Sequence, residues 1–373
     1  MREQQTYILL YMDEKIDWME SALWALIAAS MGMSLLCDHF FPSLSCIFAA
    51  GLGALLIPST ETFQPDAFLY IIVPPVVLQS GLSYKWSRRR SKLTLFMAWA
   101  GTTITTAWTT FGLLTMHYAG LSTAAALAAV CSPTDTVSTG VLTRRADPDL
   151  RRALQHESLL NDAVGFLFTH LFAHADGLEA SSIAVLVLTI IGSAAVGLFT
   201  SHIHITYTDH GAVSTLVCVL FLYSIVEWAH GSGILALFLF GIYTRQWREH
   251  DMEALTTTLD VIVDVLEKYV YVTMGTTLRH IEPGHVGVAA VVLASLYTSR
   301  IFHVTLGGCL VRGITLEEGI FLIGCNVRGA FTIALASLSG IPMFQSVAIL
   351  IVIWTHVLGL ITIGPIGTIL DII

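Results

Sequence analysis

The sequence predicts an all-α polytopic membrane protein with about thirteen transmembrane helices in a single membrane domain. Three observations carry this. Only 12% of the 373 residues are charged, about half the roughly 25% of a soluble domain. Apolar stretches close to the roughly 20 residues that cross a bilayer recur along the whole chain. The basic residues between them fall unequally on alternate loops. A soluble enzyme and a disordered chain are excluded on composition, and a formal net charge of −9 leaves no basic surface for nucleic acid.

Taken in order, the spans are expected at 19–38, 42–58, 65–83, 93–118, 121–143, 153–175, 181–202, 211–229, 231–246, 257–278, 286–311, 315–339 and 343–368. Spans 42–58 and 231–246 are short, so the count is good to one. With the amino terminus outside, the inside loops hold Lys85, Arg88, Arg89, Arg90, Lys92, Arg144, Arg145, Arg151, Arg152, Arg245, Arg248 and Arg312. Only Arg2, Lys15 and Arg279 fall outside. Twelve against three is a strong positive-inside bias, which places the carboxyl terminus inside. The polar first eighteen residues lack the shape of a cleaved signal. Six cysteines, at 37, 46, 131, 218, 309 and 325, lie scattered in apolar sequence and read as buried small hydrophobes.

Charges inside spans are costly, about 2.5–3.5 kcal/mol each on insertion scales, and mark function by default. The fifth span contains Ser132-Pro133-Thr134-Asp135 and the sixth Glu157-Ser158-Leu159-Leu160-Asn161-Asp162. The eleventh carries Arg300, and the twelfth Asn326 and Arg328. On a helix Ser158 and Asp162 share a face, as do Glu157 and Asn161. Carboxylate, hydroxyl and amide oxygens so placed are hard ligands for a small cation. Asp162, with Ser158 and Asn161 beside it, reads as a ligand of a monovalent cation, while Glu157 reads as half of a structural ion pair with Arg328 or Arg300. Pro133 interrupts its helix, and the freed backbone is tolerated only where it is buried in protein or lines a cavity. Gly324, Gly329 and Gly340 suggest a second broken helix in the twelfth span. The two broken spans are seven apart, as inverted repeats crossing near the midplane would place them.

Pro74-Pro75-Val76-Val77-Leu78, Ser132-Pro133-Thr134-Asp135, Glu157-Ser158-Leu159-Leu160-Asn161-Asp162, Arg300 and Val327-Arg328-Gly329-Ala330 run in order over residues 65 to 340. In these motifs the chain resembles the monovalent cation/proton antiporter superfamily, in its NhaP-like sodium/proton exchanger branch. The resemblance implies an NhaA-like antiporter fold and a homodimer. Residues 19–83 and 211–278 would form a scaffold and dimerisation bundle, 93–175 and 286–373 the ion-carrying core, and 181–202 a linker helix. Asp162 would take either cation or proton, with Asp135, Thr134, Ser158 and Asn161 completing or orienting the site. Glu157 and Arg328, with Arg300 near, would be the charge pair. Asn161 before Asp162 resembles the electroneutral exchangers. The chain departs from many relatives in having Gln79 where they carry an acid, and in the dense set Asp260, Asp264, Glu267 and Lys268, which reads as an i,i+4 network or an aqueous funnel.

The expected activity is secondary antiport of Na+, with Li+ or K+ as alternatives, against H+, without a cofactor and with only the lipid bilayer and a second copy as partners. A bacterial or archaeal cytoplasmic membrane is expected, and no long regulatory tail. A membrane protease using Asp135 and Asp162 as a dyad lacks any role for Arg300 and Arg328. A channel or a non-transporting sensor would keep the same site. His202, His204 and His210 read as solvated loop residues, as do His170 and His174 beside Asp176; His156 is the histidine best placed to act.

Overall fold

Thirteen helical segments occupy the expected spans in the computed structural model, which describes residues 23–37, 45–57, 68–84, 90–144, 146–174, 180–207, 212–229, 231–247, 253–311 and 314–369. The first three segments are α1 (Leu23–Cys37), α2 (Ser45–Leu56) and α3 (Val73–Ser83), the last entered through a single π turn at Phe68–Ile72. Pro74 and Pro75 sit in the first turn of α3, where a missing N–H costs no helical bond. The fourth segment is α4 (Ser91–Phe96) and α5 (Thr102–Thr115), joined by a π turn at Met97–Gly101.

The fifth segment is broken, as Pro133 predicts: α6 (Leu121–Cys131) ends, and α7 (Thr136–Leu142) begins after a four-residue non-helical stretch. The sixth is α8 (Pro148–His174). It starts five residues earlier than expected because Asp147 caps it, accepting from the Asp149 and Leu150 N–H groups at 3.1 and 2.9 Å, with proline at the first helical position. Then come α9 (Ala180–Tyr207), α10 (Ala212–Trp228), α11 (Gly233–Trp247), α12 (Glu253–Gly275) and α13 (Pro283–Val311). The twelfth segment is the second broken one, α14 (Leu316–Gly324) and α15 (Ala330–Leu338), and α16 (Pro342–Ile369) is the last. A Thr315/Glu318 capping box starts α14.

By length and hydropathy alone, only three helices among the described residues would be assigned a crossing, in α9, α13 and α16. The others fall short for two physical reasons. Some, such as α1, α2, α10 and α11, are short or belong to spans interrupted at mid-length, and α8 and α12 carry several charges, among them the buried Glu157, Glu267 and Lys268. Hydrophobic contacts gather into three clusters. One packs α5, α6, α13, α15 and α16 together; a second joins α4, α8, α13 and α14. The largest joins α1, α2, α3, α10, α11 and α12, and also takes in Leu159, Ala163, Ala330 and Ile349 from α8, α15 and α16. The face between these two groups of helices is where α8 and the breaks lie.

One expectation for the histidines is corrected. His204 is not a solvated loop residue: α9 runs on to Tyr207, and His204 is buried with Nε2 3.1 Å from the Thr215 hydroxyl of α10. His202 lies on the same helix, while His210 and Asp176 are outside the described residues. Of the basic residues used for orientation, Lys85, Arg88, Arg89, Arg145, Arg248 and Arg312 are also outside them.

Candidate functional site: two broken helices and a buried aspartate

The two breaks cross. The Asp135 N–H donates to the Val327 carbonyl at 2.9 Å, tying the extended segment of one to that of the other. Gly329 permits the approach, since a Cβ there would lie 2.3 Å from Asp135 Cγ. Pro133 needs a second glycine, because a Cβ on Gly165 of α8 would sit 2.2 Å from its Cγ.

The crossing also satisfies the broken helix ends, which a membrane interior would otherwise leave as orphaned polar groups. Arg328, 1% exposed, donates Nε to the Cys131 carbonyl at 2.7 Å, at the end of α6. Its Nη1 donates to the Asn326 carbonyl at 3.1 Å and to Asn326 Oδ1 at 2.9 Å, just past the end of α14. One cation thus serves the carbonyl ends of two half-helices, where the macrodipole is negative. Asp135 serves the opposite ends. Its Oδ2 accepts from the Ser138 N–H at 2.8 Å, capping α7, and its carboxyl group lies against Gly329, the residue before α15.

Glu157 and Asp162 leave α8 about 140° apart, as five residues at 100° each require. Glu157 turns into the core and is held by both terminal nitrogens of Arg300, Nη2 reaching Oε2 at 3.1 Å and Nη1 bonding Oε1. Arg300 Nε donates to the Leu322 carbonyl at 3.1 Å. Of the two expected partners, Arg300 of α13 pairs with Glu157, whereas Arg328 is committed to the Cys131 and Asn326 carbonyls at the crossing. A planar guanidinium suits both tasks, having five donors in a fixed fork.

Asp162 turns the other way, into a cavity of about 470 Å³. The cavity runs between α3, α7, α8, α12 and α15, and Asp135, Glu267 and Asp162 line it. Asp162 Oδ1 is buried and has no hydrogen-bond partner among the described residues. A buried acceptor left unpaired costs about 1–3 kcal/mol, more when charged, so an orphan here needs a reason. Beside it, Thr134, Ser158 and Asn161 form a closed knot. The Asn161 amide donates to Thr134 Oγ1 at 2.8 Å and accepts from the Thr134 N–H at 3.1 Å, and Thr134 Oγ1 lies 2.8 Å from Ser158 Oγ. The expected ligand set is therefore divided. Asp162 and Asp135 reach the cavity, whereas Thr134 and Asn161 line a pocket of about 10 Å³ on the far side, with Glu157, Arg300 and Arg328.

The two departures, Gln79 and the charges of α12, prove to be connected. Gln79 Nε2 donates to Asp260 Oδ1 at 2.6 Å. Asp264 pairs with Lys268 at 3.2 Å, one turn apart, and Glu267 lines the cavity.

Two functional neighbours escaped the sequence. Ser138 Oγ lies 2.8 Å from His356 Nε2, and His356 Nδ1 lies 2.8 Å from the Val352 carbonyl. A carbonyl can only accept, so Nδ1 carries the proton and Nε2 accepts from the serine in the neutral ring. The Tyr271 ring of α12 meets the His356 ring edge to face, centroids 6.3 Å apart. The available signal was that His356 is the one titratable residue in the span 343–368. Among the described residues, no group of three or more His, Cys, Asp or Glu could hold a metal ion.

A membrane-embedded crossing of two half-helices, with an acid beside it whose Oδ1 is buried at a cavity wall, is the architecture of a secondary transporter. Comparison with known proteins is specific. The sodium/hydrogen exchanger transmembrane family model matches residues 23–368, and the chain belongs to that family. It is 24% identical over 307 residues to the Na(+)/H(+) antiporter NhaH of Halobacillus dabanensis, covering 75% of each chain. It is 23% identical over 290 residues to sodium/hydrogen exchanger 8 of Rattus norvegicus, covering 64% of this chain and spanning about half (50%) of that relative's length. Its fold matches the sodium proton antiporter MjNhaP1 of Methanocaldococcus jannaschii with a TM-score of 0.77 at 19% identity, over 94% of this chain and 98% of that one. The fold class is thus an all-α antiporter fold, as expected.

Proposed function

We propose that the protein exchanges a monovalent cation for protons by alternating access, with Na+ as the favoured cation and Li+ or K+ as alternatives. The observation that carries this is the unpartnered Asp162 oxygen at the end of the cavity. A carboxylate there is the natural ligand for a proton or a partly dehydrated cation, and not usefully for both at once. Competition for one group couples the two fluxes without covalent chemistry. Thr134, Ser158 and Asn161 act as positioning residues that fix α8 against the α6–α7 break. Asp135 and Arg328 satisfy the broken ends, and the Glu157–Arg300 pair ties α8 to α13. In this reading α4–α8 with α13–α16 form the moving core, the remaining helices except α9 form a scaffold that dimerises, and α9 links them. One proton for one cation is the stoichiometry suggested by Asn161, which leaves the site a single unpaired acid. Amino terminus outside places the Arg144 end of the cavity in the cytoplasm of a bacterial or archaeal cell. The protease reading loses its dyad, because Asp135 is held as a helix cap.

The test is flux in proteoliposomes containing a pH dye, with the membrane potential clamped. Added sodium is expected to drive proton movement in wild type and not in Asp162→Asn, with no dependence on the clamp. No flux with sodium, lithium or potassium, in vesicles shown to hold folded protein, would overturn exchange in favour of a sensor. A clamp-dependent rate would overturn electroneutrality alone.

A further inference from the structure

The cavity that ends at Asp162 is electrically lopsided. Its deep end carries Asp135, Asp162 and Glu267, and its mouth carries Arg144, Arg151 and Arg152. Arg151 and Asp162 lie eleven residues apart on α8, about 16 Å at the helical rise. Positive charge at the mouth of a cation path opposes the cation, and it coincides with the amino-terminal end of α8, where the helix dipole is also positive. Lysines and arginines that merely obey the positive-inside bias need only face the headgroups; these line the cavity.

The three arginines are not equally engaged. Arg152 is tied to Asp149 at 2.7 Å and to the Pro148 carbonyl at 3.1 Å. Among the described residues, Arg151 reaches only the Arg144 carbonyl, at 3.4 Å, and its buried Nε has no partner. Among the described residues no carboxylate pairs with Arg144 or Arg151. The rest of the wall is mixed but offers an apolar strip, Val73, Val76 and Val77 of α3, Leu159 of α8, and Val263 and Val270 of α12, beside the neutral polar groups of Gln79, Ser80, Thr136 and Gln155. About 470 Å³ is the size of a site for a small organic molecule. It is several times what a bare inorganic anion would fill.

From this juxtaposition we infer that the cavity binds a single-chain anionic amphiphile, its phosphate head on Arg144 and Arg151 and its hydrocarbon stem along the valine wall toward Asp162. Such an occupant is held in one direction only. Its head is attracted at the mouth and repelled by the acids below, and its stem blocks the route to Asp162. The protein is therefore expected to be closed to cations by a ligand of this class, whether shed from the membrane or supplied from solution.

The test is binding to the purified full-length protein in neutral detergent, read as thermal stabilisation during titration with dodecyl phosphate, since a ligand of the folded state raises the unfolding midpoint. Wild type should be stabilised. Arg144→Gln/Arg151→Gln should bind at least about tenfold more weakly, the loss of one charge-assisted contact or more. Lys92→Gln, which removes an exposed positive charge outside the cavity, should stay within about twofold. Inorganic phosphate alone and dodecyltrimethylammonium, with the same stem and the opposite head, should not stabilise. Should the double variant not fold, Ser83→Asp places a negative charge on an exposed cavity-lining residue and should weaken binding in the same sense. Equal affinity in wild type and the folded variants, or equal stabilisation by the cationic amphiphile, would overturn the inference. Because binding is read without transport, this outcome is separate from failure of the exchange assay.

Discussion

The assignment of Arg300, and not Arg328, as the partner of Glu157 can be tested by paired double-mutant cycles. Both side chains of the pair are almost fully buried, at 3% and 2% exposure, and two parallel bonds join them. Removing one member of a buried pair leaves an uncompensated charge, which costs about 3–5 kcal/mol, while removing both can be nearly neutral. Arg300→Leu is therefore expected to destabilise by about 3–5 kcal/mol. Adding Glu157→Gln should recover most of that, apart from about 1 kcal/mol for the Leu322 carbonyl that loses Arg300 Nε. Glu157→Gln with Arg328→Gln should be additive to within about 1 kcal/mol, since the two side chains share no hydrogen bond. The assay is equilibrium unfolding in mixed micelles titrated with SDS, followed by tryptophan fluorescence. Strong coupling of Glu157 to Arg328, or a double variant of the first pair no more stable than Arg300→Leu, would refute the assignment.

Gly329→Ala puts a methyl 2.3 Å from Asp135 Cγ and should cost about 1–3 kcal/mol as overpacking, with flux reduced in vesicles, whereas Gly319→Ala, with open space around it, should be neutral in both assays. His356→Leu strands the Ser138 hydroxyl, at about 1–3 kcal/mol for a buried unpaired group, while His356→Gln, which can offer an oxygen near the Nε2 position, should retain more of both stability and flux; indistinguishable variants would remove the histidine from the capping arrangement of α7.

How legible all this was in the sequence depended on how local the cause was. Pro133 breaks its helix by its own chemistry, so the α6–α7 interruption could be placed to the residue, and Asp147-Pro148 marks the true start of α8 in the same way. The thirteen segments followed from the recurrence of apolar stretches along the whole chain, although only three of the helices among the described residues are long and apolar enough to be assigned a crossing one by one. The orphaned Asp162 followed partly from register, because helical spacing alone turns it away from Glu157. Tertiary facts did not follow. Glu157 could have met either arginine, and only the tertiary arrangement that brings the Arg300 side chain to it decides between them. His204 is buried because α9 continues and α10 lies beside it, which no feature of the histidine announces. Gln79 and Asp260 are 181 positions apart, and nothing near either one suggests the other.

The crossing of the two broken helices has a mechanical consequence. Each break relies on residues from the other, so neither can straighten, slide or rotate without releasing the other's ends into a medium that offers no substitute. The region that looks most like a joint in the chain trace is therefore among its stiffest parts. Compliance must be sought where contacts are apolar and interchangeable, along the face where Leu159, Ala163 and Ala330 meet α3 and α12. Movement along that face would carry Asp162 as fixed freight, with the distances around it unchanged while the surface it looks onto is exchanged.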